Sequence, residues 1–338
     1  MSVVDRGEVG IAEAALMLGV SERQIWRLRA AYRQEGAAGL IHGNRGHSSS
    51  QRTPEQLRRR VVELAESEQY RGCNQLHLTE LLAAHEGLTL SRSTIRRILG
   101  EAGIHSPRKR RPPRHRRRRE RAPEVGMLLQ IDCSPHDWLE GRCRRVCLLA
   151  GIDDATGQIH GAVFRCEEDA AGYLTVLRQV TQERGIPISV YHDRHTIFGS
   201  TKATSIEAQL AGKRREPGHV ERALQELGIR SIAARSPQAK GRIERLFGTL
   251  QDRLVIALRL GGADSESKAN ALLPAFVKSF NEQFGITPAA AGNSYRPWPK
   301  ELVGDQVFCF KYERTVASDN TVPVPGEEYP APLSAFGA

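Results

Sequence analysis

The period of the apolar residues changes near residue 125, and that change constrains the fold more than any other feature. Upstream, apolar residues recur at three- and four-residue steps, as on helices with one buried face. Downstream they form short strand-like runs at 127–132, 144–152 and 158–165. Asp153-Asp154-Ala155-Thr156-Gly157 supplies turn chemistry between the second and third runs. The pattern then predicts a helix over 168–184, a strand over 188–192, a helix over 217–227, a strand over 229–234 and a long helix from 237. Three antiparallel strands followed by alternating helix and strand fit an α/β domain of three layers.

Acids punctuate this pattern. Leu128-Leu129-Gln130-Ile131-Asp132 is an apolar run ending in an acid, and so is Ile188-Ser189-Val190-Tyr191-His192-Asp193. A third acid, Glu244, lies within Ser236–Leu250. Ser236 reads as a helix N-cap with Pro237 at the first helical position. Ile243, Leu246, Phe247, Leu250 and Leu254 mark the buried stripe, and Lys240 lies one turn before Glu244 on the same side. Asp137, Asp153 and Asp154 compete for any metal role, but the last two open a hairpin, where Asp is ordinary turn chemistry. His136, His192 and His195 read as hydrogen-bonding support, and Trp138 as core.

The N-terminal part reads as helical. A short helix over 11–19 ends at Gly19, and Ser21 with Gln24 forms a capping box for a second helix running to about Arg33. That helix is expected to carry Arg23, Arg27, Arg29 and Arg33 outside, with Ile25, Trp26 and Leu28 towards the core. Helix, glycine turn and basic helix make a helix-turn-helix pattern, with Arg23 and Arg27 early on the recognition-type helix. A second helical unit follows a Gly/Ser linker: helices over 54–66, 76–84 and from the Ser91 cap, again ending in basic residues. It reads either as a second DNA site or as structural packing.

The 338 residues carry a net charge of +10, which points to a polyanionic partner. The charge concentrates in 108–119, where Pro112 and Pro113 deny a helix. Between two folded regions, this stretch with Arg116, Arg117, Arg118 and Arg119 reads as an arm along DNA phosphates or in a minor groove. The six cysteines form no C-x-x-C pair and read as reduced, mostly buried thiols rather than a zinc site; Cys143 and Cys147 fall in an expected strand. No run of about 18 apolar residues is present, so no membrane span is expected. Nor does the N-terminus hold the apolar segment of a signal peptide; the expected place is the cytoplasm.

Four stretches carry a specific likeness: Gln130-Ile131-Asp132-Cys133-Ser134-Pro135-His136-Asp137-Trp138-Leu139-Glu140-Gly141, Ile152-Asp153-Asp154-Ala155-Thr156-Gly157, Tyr191-His192-Asp193-Arg194-His195 and Ser236–Arg245. With acids at those places, the chain resembles bacterial insertion-sequence transposases with a retroviral-integrase-type core and tandem N-terminal helix-turn-helix units. The resemblance implies an α/β chain with a ribonuclease-H-like three-layer catalytic core, all-α helix-turn-helix domains before it and a partial small β domain after it. The expected boundaries are 1–42 and 52–106 for the helical domains, 107–123 for the basic linker, 124–290 for the core and 291–338 for the C-terminal part. The implied activity is a DDE transposase (integrase) acting by two-metal phosphoryl transfer in DNA recombination. Asp132, Asp193 and Glu244 would be the catalytic metal ligands, and Lys240 would lie near the DNA end. Two Mg²⁺ ions, with Mn²⁺ as substitute, would relieve the repulsion of three gathered carboxylates and stabilise the attacking and leaving oxygens. The implied partners are double-stranded element ends and target DNA, bound by a homo-oligomer in the bacterial nucleoid, with no membrane. Two rivals are a transposase relative that only represses through DNA binding and a stand-alone nuclease of the same fold. Relatives of this type place the third acid closer to the second; the excess here maps onto 199–216, an expected loop insertion.

At the C-terminal side, 268–284 reads as a helix packed on the core. Residues 307–316 look like a strand pair entering a small barrel. The residues after Val322 include Pro323, Pro325, Pro330 and Pro332, which are poor central-strand residues. The expectation is therefore an incomplete C-terminal barrel with a loose tail over 323–338.

Overall fold

The computed structural model describes residues 1–42, 45, 52–106, 119–193, 195–198, 217–234 and 241–312. They fall into two compact units, Met1–Arg60 and Val61–Ala338. The basic stretch 108–118, Lys240 and the expected cap Ser236-Pro237 lie outside the described residues.

The first unit holds α1 (Ser2–Asp5), α2 (Ile11–Leu18) and α3 (Glu22–Glu35). Gly19 ends α2 in the left-handed region at φ 63°, and the Ser21 side chain caps α3 by accepting from the Gln24 amide. The core is small: Val4, Ala14, Ala15 and Ile25. Trp26 is 55% exposed rather than turned inward, and Leu28 is only half-buried. The expectation for Arg29 also fails. The unanticipated α1 brings Asp5 against it, and Arg29 and Arg33 both donate to Asp5 Oδ1, at 3.3 and 2.5 Å. Arg23 and Arg27 remain exposed.

α4 (Glu55–Glu66) runs from the first unit into the second, where its later residues Val61 and Leu64 pack with α5 (Gln75–Glu86) and α6 (Arg92–Glu101). Asn74 caps α5 and Ser91 caps α6. The buried side of α6 is Ile95, Ile98 and Leu99; Arg92, Arg96 and Arg97 face outward.

The core is a five-stranded sheet in the order β3-β2-β1-β4-β5. The strands are β1 (Leu129–His136), β2 (Val146–Asp153), β3 (Ile159–Arg165), β4 (Ser189–His192) and β5 (Arg230–Ala233). β1, β2 and β3 pair antiparallel, while β4 is parallel to both β1 and β5. β2 is buried at every position, as a central strand covered on both faces must be. One face packs on α7 (Ala170–Glu183) and α8 (His219–Glu226) through Leu129, Ile131, Leu149 and Val190. The other packs on α9 (Gly241–Leu260) and α10 (Glu266–Phe284) through Leu148, Ala150, Ile152 and Phe164. Gly161 lets α7 come down on β3; a Cβ there would stand 2.6 Å from the Val176 carbonyl oxygen.

The outer edge of β3 is satisfied by side-chain amides rather than by another strand. Asn270 exchanges two hydrogen bonds with the Phe164 backbone, Asn281 does the same with Ile159, and Gln179 accepts from the Ala162 amide. α10 therefore blunts an edge that would otherwise pair with another chain.

The α4–α6 bundle is fastened to α9 through α5. Arg253 of α9 is buried, donates through both guanidinium ends to Glu80 of α5 and lies over the Phe284 ring at 4.6 Å. Arg259 donates to the carbonyls of Glu68, Gln69 and Arg71.

Residues 291–312 differ from the expected small β domain. They form a strap over the α7–α8 face, with Tyr295, Trp298, Leu302, Val307 and Phe308 packed into that core. Arg222 of α8 donates to the Val307 and Cys309 carbonyls. The only helix or strand in 304–312 is the single turn α11 (Gly304–Val307); tying 307–309 to α8 replaces the strand expected there. Residues 313–338 lie outside the described residues. All six cysteines are free, but only Cys147 is buried and Cys166 is exposed; Cys143 lies in the loop before β2. No described helix is long and apolar enough to cross a membrane.

Candidate active site

β1 does not stop at Asp132. It continues to His136, because Trp138 beyond it is a fully buried anchor whose indole donates to the Ser134 carbonyl at 3.0 Å. Asp132 is therefore a mid-strand residue. Leu129 and Ile131 face α7 and α8, so by alternation Gln130 and Asp132 belong to the α9 side. The parallel register pairs Leu129 with Val190 and Gln130 with Tyr191. Asp132 and Asp193 each lie two positions beyond the last of these pairs.

Asp193 follows directly on β4 and its carboxylate accepts from the His195 amide at 3.0 Å. The preceding His192 is buried, stacks on Phe198 at 4.0 Å, bonds Ser231 of β5 at 2.7 Å and touches the Asp193 carbonyl. It thus pins the backbone at the strand end, as the sequence suggested. Glu244 is exposed in the first turn of α9, next to Ile243, which is buried in the sheet core. Further along, Gln251 of α9 donates to the Ser134 hydroxyl of β1 at 3.2 Å.

The three elements converge on one side of the sheet, but the three carboxylates are not gathered. Among the described residues no three His, Cys, Asp or Glu side chains stand close enough to hold a metal ion. By donor chemistry, carboxylate oxygens suit a hard divalent cation.

The competing acids have other work. Asp137 accepts from the Gly141 amide at 3.0 Å in the turn after β1. Asp153 is fully buried and accepts from the amides of Gly126, Ala155 and Thr156, as its turn position implied. Asp154 is a node that sequence reasoning missed. Its fully buried carboxylate accepts from Arg119 at 2.6 Å, from the Ala122 amide at 2.7 Å, from Arg242 at 2.8 Å and from Gln130. Burial alone would push this carboxyl up, but the hydrogen bonds of Arg119 and Ala122 and the charges of Arg119 and Arg242 hold it below the usual range. The Asp-Asp pair was absorbed into the turn because the partners of Asp154 come from 24 to 88 residues away in sequence. Arg119, expected on DNA, spends its charge on Asp154, while Arg116, Arg117 and Arg118 lie outside the described residues.

A mixed five-stranded sheet in the order 3-2-1-4-5, helices on both faces and acids carried by β1, the end of β4 and the helix after β5 define a ribonuclease-H-like core of the integrase type. Comparison gives the family. A winged helix-turn-helix family model matches residues 4–58. Putative transposase y4bF of Sinorhizobium fredii is 36% identical over 326 residues, covering 95% of this chain and 69% of that protein. The transposase for insertion sequence IS1202 of Streptococcus pneumoniae is 32% identical over 335 residues, covering 89% of this chain and 70% of that one. The chain belongs to the insertion-sequence transposases. Among solved structures, a simian T-cell lymphotropic virus intasome in complex with a PP2A regulatory subunit matches with a TM-score of 0.39 at 16% identity, over 68% of this chain and 76% of that one. The HTLV-2 integrase catalytic core in complex with magnesium, in its dimeric form, matches with a TM-score of 0.35 at 12% identity, over 51% of this chain and 98% of that one.

Proposed function

We propose that this chain binds the ends of its element and cuts and joins DNA strands there, as a homo-oligomer on DNA, with Asp132, Asp193 and Glu244 as the catalytic acids. The observation that supports the reading is that Asp132 lies on β1, Asp193 directly follows β4, which pairs parallel with β1, and Glu244 lies on the helix that packs one face of that sheet. Two divalent ions held by these carboxylates would activate a water, then a DNA 3′-hydroxyl, and stabilise the leaving oxygen. The protein's own part is to hold the acids on rigid elements. β1 is a central strand, His192 fixes the chain at Asp193, and α9 is anchored at its far end by Arg253 and Arg259. Lys240, one turn before Glu244, would sit against the DNA end without ligating metal.

Wild-type protein with Mg²⁺ or Mn²⁺ should nick and join duplexes carrying its own terminal repeats and leave scrambled ends intact. No metal-dependent product from any terminal repeat would remove the reading.

Recognition divides between two regions. Arg23 and Arg27, exposed on α3, would read bases, and their replacement by Ala should cost discrimination between cognate and mutated ends. Replacing Arg116, Arg117 and Arg118 should weaken all duplexes about equally and flatten the salt dependence of binding. Binding isotherms at several salt concentrations check both; sequence choice carried by the 116–118 arm would reverse the assignment.

A further inference from the structure

Four donors from three separate parts of the chain meet on the Asp154 carboxylate. Oδ1 receives Nη2 of Arg119, Nη1 of Arg242 and Nε2 of Gln130, and Oδ2 receives the Ala122 amide. The backbone of Asp154 is held as well: its carbonyl accepts from Arg121 at 2.8 Å, and its amide donates to the Leu128 carbonyl at 2.9 Å. Arg242 also reaches the Arg119 carbonyl through its other nitrogen. Gln130 Oε1 is buried without a partner among the described residues, so this amide is held through Nε2 to Asp154.

The positions of these donors matter more than their number. Gln130 lies two residues before Asp132 on the same face of β1. Arg242 lies two residues before Glu244, in the first turn of α9. A helix's first turn lacks intrahelical partners for its amides and depends on outside contacts to fix its place. We infer that Asp154 is a positioning residue: it clamps the first turn of α9 to β1 and to the inner end of the basic arm, and so sets where Glu244 stands relative to Asp132.

The inference rests on the reading of those two acids given above. It also gives Arg119 a role distinct from the one proposed for Arg116, Arg117 and Arg118. The like charges of Arg119 and Arg242 meet only because Asp154 lies between them. Without that carboxylate they would repel, and the turn carrying Glu244 would lose its tether.

The test has two arms. In hydrogen exchange read by mass spectrometry, Asp154→Asn should deprotect residues 241–246 while the β2 amides stay protected. Arg242→Ala removes one donor from a partly exposed site and serves where Asp154→Asn does not fold. In the joining arm, Arg242→Ala should leave end binding near wild type at a temperature where both proteins are folded. Its joining rate at saturating DNA should fall about 100-fold, and its half-saturating Mg²⁺ concentration should rise about tenfold. Arg242→Lys should recover part of the rate, since it keeps the charge but not the fork. Unchanged exchange at 241–246, or Arg242→Ala joining at the wild-type rate with wild-type Mg²⁺ dependence, overturns the clamp. Wild-type protein unable to join ends would instead overturn the reading of the site, and the exchange arm would still decide the clamp.

Discussion

Asp132→Asn, Asp193→Asn and Glu244→Gln should each reduce strand cutting and joining by at least about 10³-fold, on the scale seen when a transition-state stabiliser is removed. Each should still bind terminal-repeat DNA. The substitutions keep shape and remove one negative charge, so they separate metal-supported chemistry from DNA binding. They should also leave the fold intact, for different reasons at each place. Asp132 is only half-buried, Asp193 lies beyond the last residue of β4, and Glu244 is exposed on α9. Divalent cations would offset the mutual repulsion of three carboxylates brought together. Protection of the wild type against thermal unfolding by Mn²⁺, absent in each variant, is the companion measurement. Full joining by any one variant would strike that residue from the site.

The second large effect lies far from the chemistry, where the α4–α6 bundle meets α9. His77 of α5 is 6% exposed and its Nδ1 is buried without a partner among the described residues. Burial, reinforced by the positive charge of Arg253, pulls its imidazole down to about 4, against the opposing effects of Glu80 and a hydrogen bond to the Asp252 backbone. In the unfolded chain His77 titrates near its ordinary value of 6.5. Between those values the unfolded chain takes up a proton that the folded chain refuses, so stability falls as pH drops from about 6.5 towards 4. The full loss from this group is on the order of 3 kcal/mol, at about 1.4 kcal/mol per pH unit. Glu80 adds to it at lower pH. Burial pushes its carboxyl up, but the hydrogen bonds of Arg253 and Gln283 outweigh that and hold it below its ordinary range. Its contribution is present above the unfolded carboxylate value and is lost on further acidification. Urea midpoints from pH 7.5 to 4.5 should therefore fall more steeply for wild type than for His77→Gln, which keeps a neutral polar side chain. Equal slopes for the two proteins would show that His77 does not drive the acid sensitivity.

Local rules fixed the strand–helix order and the caps. Ser21 and Ser91 cap their helices because a serine hydroxyl can satisfy an orphan amide without help from the rest of the fold. The apolar run within 144–152 read as a strand, and the structure buries every position of β2. Asp193 directly follows β4 and Glu244 lies in the first turn of α9, so both mark element ends, whereas Asp132 closes an apolar run in the middle of β1.

What tertiary structure decided is where elements from distant parts of the chain meet. Trp26 could turn inward by periodicity alone, but the core closes on Val4, Ala14, Ala15 and Ile25 and Trp26 stays exposed. Residues 307–312 belong to the expected 307–316 strand pair, yet Arg222 of α8 holds the Val307 and Cys309 carbonyls and makes the segment part of a strap. Asp154 had the spacing of a turn residue, and no local pattern could announce that Arg119, Gln130 and Arg242 would arrive at one carboxylate. A hairpin needs only the residues between its strands. A buried charge needs partners from elsewhere, and those partners are chosen by how the sheet, the arm and α9 pack together.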